Sequence, residues 1–202
     1  QYRAKPDLDL TVLIRDSLPL ITPTVVRDEK ANRTFRSILQ TVGEVYEPLS
    51  LMHELGVLGR FMPEFGELTC LVQHEYYHRY TADIHTLNTI RELDAVFREE
   101  GEYSGKYHKV LRETEIPALL YIILLLHDIG KADGIEDHTI TGEKLALPIL
   151  ERMGVEGKVR GIILFIIRNH LEMARFWQTH DIDDPRVSAA FANDVGEPDK
   201  LR

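Results

Sequence analysis

The run Leu124-Leu125-Leu126-His127-Asp128-Ile129-Gly130-Lys131 sets a histidine and an aspartate directly behind nine apolar residues, Ala118 to Leu126. A helix apolar on every side belongs in a core, and a buried aspartate without compensation costs several kcal/mol. A divalent cation offsets that cost directly. Histidine with aspartate is a sensible ligand pair for zinc, manganese or iron. Taken alone, a His-Asp pair is more often structural, the aspartate capping or pairing and the histidine satisfied in the core. Three further histidines shift that balance. His170 follows Ile166 by four residues and extends an apolar stripe inward. His138 opens a helix four residues before Gly142, and His85 falls in the first turn of another. Four histidines and an aspartate at the starts or inward ends of helices make a candidate metal site, of the sort that facing helices assemble in a bundle core.

The elements that must carry these residues are helical. Asp83 suits the N-cap of a helix beginning at Ile84, with Leu87, Ile90, Leu93 and Phe97 as its stripe and a stop near Gly101. Residues 101–114 are polar and carry two glycines, so they read as a loop. Pro117 fits the first turn of a helix running to Ile129 and ending at Gly130. Further helices are predicted from about Thr139 to Met153, from about Gly157 to Phe176, and after Pro185. Phe176 and Trp177 are expected to cap the bundle. Ahead of this, helices over Asn32 to Gln40 and Glu47 to Leu55, and a turn at residues 61–66, form a small leading segment. No convincing period-2 alternation occurs. The fold class is all-α.

Composition narrows the function. The chain has 202 residues, 44% of them hydrophobic, and a net charge of −9. An acidic surface argues against nucleic-acid backbone or anionic membrane as a partner. A phosphate substrate stays open, because bound divalent ions reverse the local potential. The single cysteine, Cys70, excludes an intrachain disulfide and a cysteine-rich zinc site, as suits the cytoplasm. The longest apolar run is nine residues, against the roughly 20 a spanning helix needs. The start at Gln1 and the polar end at Arg202 read as an excerpt from a longer chain.

The order His85, then His127-Asp128, resembles the HD phosphohydrolase superfamily, and the additional His138 and His170 resemble its binuclear members. His127-Asp128-Ile129-Gly130-Lys131 followed by His138-x-x-x-Gly142 is similar to HD-GYP phosphodiesterases as well. A closer resemblance is to the central HD domain of bacterial bifunctional uridylyltransferase/uridylyl-removing enzymes. Leu51 to Phe65, Gln73 to Leu87 and Arg168 to Met173 carry it, over roughly residues 30–196. Where such enzymes usually have a glutamate before the first ligand histidine, this chain has Ile84.

The resemblance implies an HD-type helical bundle over residues 69–202, truncated at its C-terminus, behind a helical segment over 1–68. It implies one or two divalent ions (Mn, Mg, Fe or Zn) held by His85, His127, Asp128, His138 and His170. A last aspartate ligand is expected downstream, since Asp194 and Asp199 sit in no matching apolar helix. Asp128 is expected to bridge the ions. Lys131 is a candidate catalytic and substrate-phosphate contact, or else a lysine complementing a helix C-terminus. His78 and Arg79, within the Tyr76 to Tyr80 cluster, could line the substrate mouth or simply pack there; His53, His74, His108 and His180 read as non-ligands. The implied reaction is removal of UMP from the uridylylated PII nitrogen-signalling protein. The competing readings are a different HD-type nucleotide or cyclic-dinucleotide phosphohydrolase, and a non-catalytic regulatory module. Nothing in the residues sets an oligomeric state.

Overall fold

The structure is a computed structural model, and it describes residues 5–72, 80–101, 104–112, 117–134, 138–181 and 183–196. These residues are all-α, with no strand among them. The leading part holds α1 (Leu8–Asp16), α2 (Pro23–Arg27), α3 (Glu29–Leu39), α4 (Tyr46–Glu54), α5 (Val57–Phe61) and α6 (Pro63–Gly66). Then come α7 (Ala82–Phe97), α8 (Ser104–Arg112), α9 (Ala118–Leu126), a 3-10 turn at Ile129–Asp133, α10 (His138–Arg152), α11 (Gly157–Asn169), α12 (Glu172–Thr179) and α13 (Pro185–Val195). No described helix is long and apolar enough to cross a membrane.

One buried cluster runs through the bundle. Phe35, Leu39, Leu49, Leu58 and Phe65 of the leading helices join Ile90 of α7, Leu125 and Leu126 of α9, Ile149 and Leu150 of α10, and Ile163 and Ile167 of α11. Each such side chain contributes about 1.5–3 kcal/mol on leaving water. The apolar α9 lies at the centre, with Tyr121, Ile122, Ile123, Leu125 and Leu126 buried.

Several local expectations are corrected. The first long helix starts at Ala82 with Thr81 at the N-cap, so Asp83 lies inside the first turn, buried, and caps nothing. Part of the stretch expected as a loop is helix α8. Helix α9 stops at Leu126, and the chain tightens into a 3-10 turn instead of staying helical to Ile129. Residues 63–66 form a short helix rather than a turn. The helix expected from Gly157 to Phe176 is two helices broken at His170. Trp177 is exposed and caps nothing, while Phe176 stacks on His180 and meets Phe191 edge-on.

Candidate metal centre

Two of the candidate imidazoles are aimed by the ends of their own helices. The last turn of a helix leaves carbonyls without intrahelical donors. His127 follows α9 directly, and its Nδ1 lies 2.7 Å from the Leu124 carbonyl oxygen. His170 follows α11 in the same way, with Nδ1 2.7 Å from the Ile167 carbonyl oxygen. A carbonyl only accepts, so each Nδ1 carries the hydrogen and each Nε2 faces the site with its lone pair available. The same two carbonyls would serve the amides of Asp128 and Leu171 if the helices continued. Turning the imidazoles inward and ending the helices are one event.

All these rings gather around Asp128, which is 2% exposed. His127 Nε2 is 3.2 Å and His85 Nε2 is 3.8 Å from its Oδ2. On the other oxygen, Oδ1, His170 Nε2 stands at 3.6 Å and His138 Nε2 at 3.8 Å. The chain thus brings His85, His127 and Asp128 into one triad, and Asp128, His138 and His170 into another, the donor atoms of each lying within 4.8 Å of one another. Neighbouring rings are 5.3–5.7 Å apart between centroids. Ligands about 2.0–2.2 Å from a shared ion stand roughly 3–3.5 Å from each other. The His–Asp128 separations of 3.2–3.8 Å lie close to that range, so either triad could hold a divalent ion.

Lys131 Nζ lies 2.8 Å from Asp128 Oδ2 and is itself buried. Burial pushes the Asp128 carboxyl up, but its contacts with the His127 and His170 imidazoles and the positive charge of Lys131 outweigh it. The group is held far below the usual carboxylate range and stays ionised. Oδ2 is enclosed, and no hydrogen bond of sound geometry reaches it from the described residues. A bound cation is the partner such an oxygen accepts.

His78 and Arg79, with His74, Tyr76 and Tyr77, lie outside the described residues. His53 is remote from Asp128 and pairs with Asp83 at 3.0 Å. His108 sits on α8 with Nδ1 3.0 Å from the Val96 carbonyl oxygen, and His180 is exposed. Asp194 is exposed near the end of α13. Sequence reasoning treated Gly130 only as a helix stop. In the fold it is where the 3-10 turn meets α10, because a Cβ there would overlap the His138 carbonyl oxygen and stand 2.5 Å from the Gly142 amide nitrogen. The Gly130 and Gly142 pair after His127-Asp128 was the available signal for this close approach.

Residues 83–192 match the model of the HD domain family. The chain belongs to the HD domain family. Ahead of the HD domain, residues 7–61 match the family described as uridylyltransferase GlnD third domain. The chain is also similar to proteins named bifunctional uridylyltransferase/uridylyl-removing enzyme. One from Caulobacter vibrioides is 36% identical over 205 residues, covering 97% of this chain and 21% of the relative. Another, from Cereibacter sphaeroides, is 36% identical over 190 residues, covering 94% and 20%. A third, from Azotobacter vinelandii, is 35% identical over 188 residues, covering 93% and 21%. The chain spans about a fifth of the length of these curated relatives. The leading helices and the HD domain therefore recur together, in this order, across those proteins.

Proposed function

We propose that this chain is a metal-dependent phosphohydrolase that removes UMP from uridylylated PII protein, as the uridylyl-removing part of a larger bifunctional enzyme. The observation that carries the metal chemistry is the sharing of Asp128. Its Oδ2 serves His85 and His127 while its Oδ1 serves His138 and His170. These five side chains would hold one or two divalent ions, with Asp128 common to both triads. The relatives' name supports uridylyl removal as the reaction.

Divalent ions held by these triads supply a water activated at neutral pH and neutralise phosphate charge. The protein's own part is orientation and charge. His127 and His170 keep their Nε2 lone pairs pointed inward through the Leu124 and Ile167 carbonyls. Asp128, ionised throughout the working range, holds its two oxygens toward the two triads. Lys131 balances Asp128 in this structure, and exchanges that contact for a substrate phosphate oxygen once the carboxylate is otherwise paired. In the reaction, water oxygen bonds to phosphorus, the phosphorus–oxygen bond to the tyrosyl group breaks, and the tyrosyl oxygen takes a proton. UMP leaves and unmodified PII remains.

The test is hydrolysis of UMP-modified PII against a panel of free nucleotides and cyclic dinucleotides, with the intact protein and manganese. UMP release from PII alone supports the proposal. Turnover of free nucleotides with PII–UMP untouched would replace it by a general nucleotide phosphohydrolase. His127→Ala or Asp128→Ala abolishes hydrolysis; unchanged turnover in either variant refutes the site.

A further inference from the structure

His53, on α4, takes no part in the metal triads, yet it is nearly enclosed. Its Nε2 lies 3.0 Å from Asp83 Oδ2, with side chains 14% and 3% exposed. The same oxygen accepts from the Cys70 backbone N–H at 3.3 Å. Cys70 has φ 61°, a left-handed backbone that a residue with a side chain holds only when its surroundings enforce it. The wholly buried Phe65 ring of α6 meets the His53 ring edge-on at 5.8 Å. Asp83 therefore ties three pieces of chain together: α4, the turn at Cys70, and the first turn of α7. The next ring on that turn is His85, two residues on, with Nε2 3.8 Å from Asp128 Oδ2.

Position along a helix is also rotation about it. One residue of slip in the first turn of α7 swings His85 by about 100°, which removes it from Asp128. A buried carboxylate needs its partner in place, so the His53–Asp83 contact fixes both the rotation and the depth of that turn. The Glu64–Arg152 pair, with contacts of 2.8 and 2.9 Å, joins α6 to the end of α10 opposite His138.

We infer that His53 is a positioning residue of the metal centre, acting through Asp83 to set where His85 stands against Asp128. The inference rests on the metal reading above and gives the leading helices a part in the chemistry. It assigns the effect to one ion only, because His138 and His170 reach Asp128 from α10 and from the end of α11 and are independent of α7.

The experiment is manganese titration of the intact protein, read as ions bound per chain by equilibrium dialysis and mass spectrometry, with thermal unfolding on the same samples. The wild type binds two ions. His53→Ala weakens one of them on the order of 10-fold or more and leaves the other; His85→Ala removes the same ion, and the double variant is no worse than His85→Ala. His53→Gln, whose amide still donates to Asp83, recovers most of the loss. Glu64→Gln lowers the melting temperature and keeps both ions. Two ions bound with unchanged affinity in His53→Ala and His53→Gln would overturn the inference while leaving the metal reading intact. Equal loss of loading in Glu64→Gln would also overturn it, by showing that general loosening suffices. A wild type that binds no manganese ends both readings together.

Discussion

Gly130 and the His138 carbonyl oxygen approach so closely that no side chain fits between them. This contact presses the 3-10 turn behind Asp128 onto the first turn of α10, so one glycine sets the spacing between His127-Asp128 and His138.

Gly130→Ala forces backbone against backbone, and neither side can rotate away. We expect destabilisation at the upper end of the ~1–3 kcal/mol typical of overpacking, seen as a melting temperature lower by several degrees, together with weaker metal loading. Gly142→Ala is the contrast. Its Cβ would meet Ile167 Cγ2 at 3.4 Å, an ordinary contact. In a helix interior it gains up to about 1 kcal/mol from the loss of glycine's freedom. Thermal unfolding of the two variants, one down and one level or up, checks both.

The residues around Asp128 were legible in the sequence because each breaks a local rule. His127 and Asp128 end an apolar run, and His170 ends an apolar stripe. What was not legible is where the helices stop. Apolar periodicity continues through His170 into Leu171 and Met173, so spacing alone predicts one long helix. The helix ends there, with His170 Nδ1 on the Ile167 carbonyl that a continuing Leu171 amide would reach. Asp83 was misread for a related reason. A carboxylate next to a helix start suits a cap, and only the tertiary position of His53 makes it an inward-facing pair. Helix α8 is hidden from periodicity by its glycine and charges, and Trp177, expected to cap the bundle as large aromatics often do, stands exposed instead.

Tyr121 joins α9 to the leading helices. Its hydroxyl donates to Asp94 Oδ1 at 2.6 Å and accepts from the Gly43 N–H at 2.9 Å, while Asp94 Oδ2 accepts from the Tyr46 N–H at 2.7 Å. Burial and the Asp94 carboxylate both push the phenol far above its ordinary range, so it never ionises in use. Tyr121→Phe keeps the ring and strands a buried carboxylate oxygen and a buried amide. The expected loss is about 1–3 kcal/mol in chemical denaturation, with manganese loading unchanged.

Glu64 gives an acid-range prediction. Burial pushes its carboxyl up, but the Arg152 hydrogen bond and charge, with a backbone hydrogen bond, win, and it is held below the usual glutamate value. A carboxyl lowered by folding stabilises the fold above its unfolded pKa of about 4.3. That contribution is lost as pH falls through the lower folded value. Glu64→Gln should therefore reduce stability near pH 7 and flatten the fall in stability below about pH 4. Unfolding free energies of wild type and Glu64→Gln between pH 7 and pH 3 measure it; parallel curves would refute it.

Because Asp128 offers one oxygen to each triad, the five candidate ligands are not equivalent. His170→Ala removes a donor from the triad on Oδ1 and should cost one ion, leaving His85, His127 and Oδ2 to hold the other. His85→Ala should do the converse. Asp128→Asn keeps the shape but replaces one of the two oxygens by an NH2 that cannot ligate and removes the negative charge both triads share, and should lose both ions. It also removes the carboxylate 2.8 Å from the buried Lys131 Nζ, a lost charge pairing that lowers stability. Asp128→Asn is thus expected to bind no manganese and to melt lower, whereas His170→Ala binds one ion and melts near the wild type. Equal stoichiometry in the two variants would mean that the triads do not share Asp128, and that a single ion sits among these side chains.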